Sequence, residues 1–128
     1  MDLTRDQLAD MYYRMWLIRY FDESAMDQYR HGRMRGTTHA YIGEEAIAVG
    51  ACAALDRDDY LTSTHRGHGH CLAKGGEPKL MMAELLGKAT GYCKGKGGSM
   101  HIADIDLGIL GANGIVGGGM GIATGAAY

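Results

Sequence analysis

The sequence holds one proline in 128 residues, one tryptophan and one phenylalanine. Its three cysteines, Cys52, Cys71 and Cys93, are odd in number and far apart, and no C-x-x-C occurs. That pattern excludes a disulfide framework and a zinc ribbon, and it fits a reducing, cytoplasmic setting. No apolar run approaches the length of a membrane span. The opening stretch MDLTRDQLADMYY is acidic and amphipathic, without the basic segment and apolar run of a secretory leader. Two phosphate-binding signatures are missing too. No G-x-x-x-x-G-K-[ST] occurs, and none of the glycine pairs at 67/69, 95/97, 117/119 or 119/121 has the further glycine that G-x-G-x-x-G requires. There is no tandem repeat. A net charge of −2 gives no reason to expect nucleic acid or an anionic membrane as partner. The length suffices for one small domain and not for two.

Charge is unevenly spread. Residues 61–101 hold six Lys/Arg against two Asp/Glu, whereas residues 102–128 hold no Lys/Arg at all. The positive segment opens with THRGHGH (64–70) and carries four of the six histidines. It is a local anion-attracting patch rather than a polybasic tail.

TRDQ (4–7) reads as a capping box, with Thr4 as N-cap and Gln7 three residues on. Leu8, Met11, Met15 and Ile18 follow at helical spacing, and the pattern runs to about Tyr29 with Gly32 as a stop. Such a helix is about 40 Å long, and an arm that packs on a partner subunit would explain its length. GEEAIAVGACAAL (43–55) predicts a second helix whose small-residue face is Ala46, Ile47, Gly50, Ala51 and Ala54. DYLTST (59–64) is strand-like. Glu77-Pro78 starts a helix through Leu86, with proline where its missing N–H costs little, and Gly87 ends it. Residues 91–128 contain 12 of the 21 glycines. GYCKGKGGSMH (91–101) therefore reads as a long loop, and residues 108–128 turn from loop to a small-residue helix. Gly117, Gly121 and Gly125, four apart, would give that helix a bare face for tight packing or a subunit contact.

THRGHGH invites a metal first. His65, His68 and His70 form H-x-x-H-x-H, with Cys71 adjoining and His39 or His101 available to complete a set. Structural zinc sites bring two paired-ligand elements, and only one is present. An anion is the other reading. Arg66 and two glycines lie between a strand and a helical segment, where backbone N–H groups and a guanidinium suit a phosphate or pyrophosphate. GKGG (95–98) adds Lys96 and freely oriented amides. A solvated glycine loop with scattered basic residues explains the same spacing. His39 stands alone in GTTHAYIGEE, and an isolated histidine is more often an ordinary polar or core residue than a catalytic one.

Taken in order, HAYIGEEAIAVGACAALDRDDYLTSTHRGHGH, MAELLGKATGYCKGKGGSMHIAD and GANGIVGGG carry a specific resemblance. The chain resembles the α subunit of the thiamine-diphosphate-dependent dehydrogenase component of acetoin and 2-oxo acid (pyruvate-type) dehydrogenase complexes. The likeness covers nearly the whole sequence and is densest over residues 39–119. THRGHGH looks more like the acetoin branch, since pyruvate-type members usually carry Tyr-Arg where this chain has His65-Arg66.

The resemblance implies an α/β thiamine-diphosphate-binding fold, of which this is the N-terminal part, mostly helical with little of the parallel sheet. Residues 1–35 would form an N-terminal helical arm and 36–128 the first part of the cofactor domain. It implies that His65 and Arg66 hold the cofactor diphosphate, and that the backbone of Gly114, Ile115 and Val116 meets the aminopyrimidine ring. His39 would be an active-site histidine that moves a proton or stabilises a developing alkoxide, with His68 near the same mouth. Thr37, Thr38 and Ala40 replace the bulkier apolar residues that usually flank the histidine. The family continues into a strand and a G-D-G…N motif that binds magnesium, and this sequence stops at Tyr128 before it. The expectation is thus an N-terminal portion of a larger enzyme, with the magnesium ligands beyond residue 128. That enzyme would cleave acetoin or decarboxylate pyruvate. It would be an α2β2 heterotetramer with a β subunit and would pass the acyl group to a lipoyl-bearing acyltransferase core. Two other readings are a non-catalytic piece acting only in subunit assembly and a small histidine-based metal-binding module.

Overall fold

The computed structural model describes residues 2–128. Helix α1 (Arg5–Arg30) opens as the capping box requires. The Gln7 amide donates to Thr4 Oγ1 at 3.2 Å, and the Thr4 amide donates to Gln7 Oε1 at 2.8 Å. Gly32, at φ +69°, follows the helix in the left-handed region that favours glycine. The buried stripe is Ile18, Phe21, Asp22 and Ala25, with Met11 and Met15 packed at its edge. Leu8, expected at the head of that stripe, is 52% exposed, because the first two turns run past the core. On the outer face Tyr12, Trp16 and Tyr20 form an exposed ladder. Tyr12 meets Trp16 edge-on at 6.1 Å, and Trp16 stacks on Tyr20 at 5.2 Å.

Helix α2 (Glu45–Ala53) packs on α1, but by a different face from the one expected. Glu45, Ala48 and Val49 are buried, whereas Ala46, Ile47, Gly50, Ala51 and Ala54 are exposed. Nearly every position of this helix is small or apolar, so periodicity had little to distinguish. The choice is made by Glu45. Its carboxylate takes Arg19 Nε of α1 at 2.6 Å and the Gly43 amide at 3.0 Å, which rolls Ala48, Val49 and Cys52 inward.

Strand β1 (Leu61–Ser63) is shorter than the strand-like run, since its hydrogen-bonded length is set by one partner, β2 (Ile109–Ala112). The two are parallel, pairing Leu61 with Ile109, Thr62 with Gly111 and Ser63 with Ala112. Between them come α3 (Gly67–Ala73), α4 (Pro78–Leu85) and a 3₁₀ turn (Gly98–Met100). The glycines of THRGHGH are there for packing. A Cβ on Gly67 would stand 2.8 Å from the Ala112 methyl, and one on Gly69 would fall on the Tyr41 ring. Ile18, Tyr41, Leu72, Met81, Ile102 and Ile109 form the centre of the core, each at most 2% exposed. Cys52, Cys71 and Cys93 are free thiols, and burial pushes that of Cys71 up to about 12.

Helix α5 (Gly119–Ala127) leans on both strands at its start, where Thr62 Oγ1 donates to the Gly119 carbonyl at 3.4 Å. The expected row of three glycines is reduced to two. Gly117 lies ahead of the helix at φ +86°, which a right-handed helix cannot include, and Gly121 and Gly125 face open space. This is a largely helical portion of an α/β fold with one two-stranded parallel sheet. No helix among the described residues is long and apolar enough to cross a membrane.

Candidate functional site

Parallel pairing sends the turns after β1 and β2 out of the same end of the sheet. Residues 64–66 follow one strand and residues 113–116 follow the other. The Asn113 amide donates to the Ser63 carbonyl at 3.0 Å and fixes the two turns side by side. The carboxyl ends of adjacent parallel strands are the usual place for a ligand in α/β proteins. In the second turn Asn113 Oδ1 takes the Ile115 amide at 2.9 Å. Gly114 faces the His101 ring, and Ile115 and Val116 are 75% and 72% exposed.

The first turn brings His65 against His39. Their rings meet edge-on with centroids 4.9 Å apart. Both rings have a buried Nδ1 without a hydrogen-bond partner. Buried polar atoms are nearly always paired, so these two nitrogens on adjacent rings are candidates to meet a bound group. Arg66 donates through its guanidinium to the Ala40 carbonyl and lies 3.7 Å from a Glu44 oxygen. Those contacts tie the His39 loop to the strand end, and a guanidinium's five donors leave others free.

The three histidines of THRGHGH face three ways, so the motif is not a metal cage. His65 meets His39. His68 is wholly buried, with Nδ1 2.6 Å from Asp22 Oδ1 and Nε2 2.9 Å from Ser99 Oγ. His70 joins α3 to β1 through Ser63 Oγ at 2.8 Å, with the Tyr41 hydroxyl 3.4 Å from its other nitrogen. Among the described residues no three His, Cys, Asp or Glu side chains converge as a metal-binding set.

Burial pushes the His70 imidazole below its ordinary 6.5, with Glu44 pulling weakly the other way. Unfolded chain takes up this proton near pH 6.5 and folded chain resists it. The contribution to stability is therefore full above that pH and is lost as pH falls below it. Thermal unfolding should show a midpoint that drops between pH 7 and pH 5.5, and His70→Gln should flatten that part of the profile. Glu45 acts in a lower window. Burial opposes its ionisation, but the Arg19 and Gly43 hydrogen bonds outweigh burial and hold its carboxyl below 4.5. The stability it brings disappears only as pH falls through that lower range.

Three important residues received no role from the sequence. Asp22 and Ser99 flank His68. Glu84 of α4 is wholly buried and accepts four backbone N–H groups, from Cys93 and Gly95 at 2.8 Å, Gly97 at 2.7 Å and Gly98 at 3.1 Å. The glycine-rich loop is thereby wrapped around one carboxylate. Positive φ at Lys94, Gly95 and Gly98 lets the amides converge on it. Each acid had a signal of one kind: a carboxylate on an otherwise apolar stripe, Asp22 between Phe21 and Ala25, Glu84 between Met81 and Leu85.

The sequence is similar to those of known proteins. The chain is 57% identical over 127 residues to the α subunit of acetoin:2,6-dichlorophenolindophenol oxidoreductase of Bacillus subtilis, covering 99% of this chain and 38% of that protein. It is 49% identical over 125 residues to the subunit of the same name from Cupriavidus necator, covering 98% and 38%. It is 46% identical over 126 residues to the pyruvate dehydrogenase E1 component subunit alpha of Zymomonas mobilis, covering 97% and 35%. The chain thus spans under two-fifths of the length of these relatives. The family model "Dehydrogenase E1 component" matches residues 13–128. The chain therefore belongs to the dehydrogenase E1 family, and membership implies thiamine diphosphate as cofactor.

Proposed function

We propose that this chain supplies the α-subunit side of a thiamine diphosphate site in an acetoin-cleaving dehydrogenase component. The observation that carries this is the pairing of unpartnered His39 and His65 nitrogens beside two turns that leave adjacent parallel strands at one end. Relatives named for acetoin stand at 57% and 49% identity, and one named for pyruvate dehydrogenase at 46%. That order, with His65 before Arg66, favours acetoin as substrate over pyruvate.

The donor set suits the cofactor. Arg66 and His65 would hold the diphosphate, a job for a charged fork and an adjacent imidazole. The backbone of Gly114, Ile115 and Val116 would border the aminopyrimidine ring. Bound thiamine diphosphate supplies the carbon nucleophile and electron sink that cleavage next to a carbonyl demands. The chain's own residues orient and polarise. His39, half-buried beside the first turn, would hold or move a proton at the oxygen of the substrate carbonyl. Magnesium would be held by residues beyond 128. The relatives are named as α subunits, and by that analogy the working assembly would pair this chain with a β subunit as an α2β2 heterotetramer. The acyl group would pass to a lipoyl-bearing acyltransferase.

An artificial-acceptor assay of the full-length chain with its β partner tests the reading. Acetoin should be turned over faster than pyruvate or branched 2-oxo acids; a preference for pyruvate would move the chain to the other branch, and no thiamine-dependent turnover would end the proposal. His39→Ala should lower kcat about 100-fold, the usual size of a lost acid–base group, while the calorimetric affinity for thiamine diphosphate stays within about twofold.

A further inference from the structure

The line Asp22–His68–Ser99 crosses the buried face of the His39 loop. Asp22 comes from α1, His68 from α3 and Ser99 from the 3₁₀ turn, so three distant parts of the chain meet in one hydrogen-bonded row. Asp22 and His68 are 0% exposed and Ser99 is 5% exposed. The row grips the loop at both ends. Ser99 Oγ accepts the Thr38 hydroxyl at 3.1 Å and the His39 amide at 3.4 Å. The second Asp22 oxygen accepts the Tyr41 amide.

A serine hydroxyl has one proton to give and two lone pairs, and three neighbours, His68 Nε2, Thr38 Oγ1 and the His39 amide, use all three positions of Ser99. This is the residue order of a hydrolase triad, yet the serine has neither a free lone pair nor an open face. It cannot attack a substrate. Its remaining use is to hold what it touches, and it touches the backbone of His39.

We infer that Asp22, His68 and Ser99 are positioning residues that set the His39 loop through its backbone, with Ser99 as the final link. This rests on the reading of His39 as the proton-handling residue. Removing the Ser99 hydroxyl deletes the link with the least disturbance to the core. In the full-length chain assembled with its β partner, Ser99→Ala should lower kcat about tenfold or more, as small misplacements of a reacting group do. KM and the thiamine diphosphate dissociation constant should stay within about twofold, and Ser99→Thr should restore most of kcat.

Because Ser99 acts through His39, the double variant His39→Ala/Ser99→Ala should turn over no more slowly than His39→Ala alone. An unchanged kcat in Ser99→Ala, or losses that multiply in the double variant, would overturn the inference. If His39→Ala itself leaves kcat unchanged, the earlier reading of His39 fails instead. The clamp is then decided by deuterium exchange in the same assembly. Exchange at the His39 amide about tenfold faster in Ser99→Ala supports it, and unchanged exchange overturns it.

Discussion

Replacing Glu84 by alanine is expected to destabilise this chain by about 3–5 kcal/mol, the scale of breaking a buried charged network. Four amides would lose their acceptor together. A buried donor left without a partner costs about 1–3 kcal/mol, and partial entry of water would soften the sum. Glutamine is the sharper probe. It keeps the shape but turns one acceptor into an NH2 group aimed at backbone donors, so Glu84→Gln should lose a large share of the same stability. Urea unfolding of the two variants checks this. Protection should fall first at Cys93, Gly95, Gly97 and Gly98, because those amides are tied to Glu84 and not to a strand. A Glu84→Gln variant as stable as the parent would mean that the loop holds its own shape.

Arg66→Ala in the full-length assembly should weaken thiamine diphosphate binding about 10- to 100-fold, the range for losing hydrogen bonds to a charged group. Arg57→Ala should change it by less than about twofold. The contrast rests on place rather than charge. Arg57 follows α2 on an exposed turn, whereas Arg66 stands where β1 gives way to α3, beside Ala40 and His65. Glu44 sharpens the expectation. It lies 3.7 Å from the guanidinium and would compete with a diphosphate for it, so Glu44→Gln should bind the cofactor at least as tightly as the parent. Titration calorimetry at fixed magnesium reads all three. Equal losses for Arg57 and Arg66 would remove Arg66 from the site.

Local chemistry made much of this fold legible. The capping box at Thr4 and Gln7, the proline that opens α4 and the strand–turn–helix around THRGHGH each depend on a few neighbouring residues, and each is where the spacing placed it. Of the residues named by resemblance, His65 and Arg66 follow β1 and Gly114, Ile115 and Val116 follow β2, whereas His68, expected near the same mouth, is buried against Asp22 and Ser99. Partners far apart in the chain left no local trace. Asp22, His68 and Ser99 lie on three elements, and nothing near Ser99 announces an imidazole beside it. The buried side of α2 was hidden for the same reason, since it is chosen by Arg19 on another helix. The histidines of THRGHGH drew attention as one cluster, yet His65 lies in the turn before α3, and His68 and His70, two apart on that short helix, reach unrelated neighbours.

The parallel pairing of β1 and β2 also sets when the site can exist. An antiparallel pair can close over a tight hairpin, but these strands are joined by a crossover holding α3, α4 and the glycine loop. Closing a loop of about 45 residues costs on the order of 3 kcal/mol in chain entropy before any contact returns it. The two turns therefore meet only when the crossover between the strands is ordered. A partly folded molecule has no half-strength site, and a ligand bound there draws the folding equilibrium of the whole domain toward the native state.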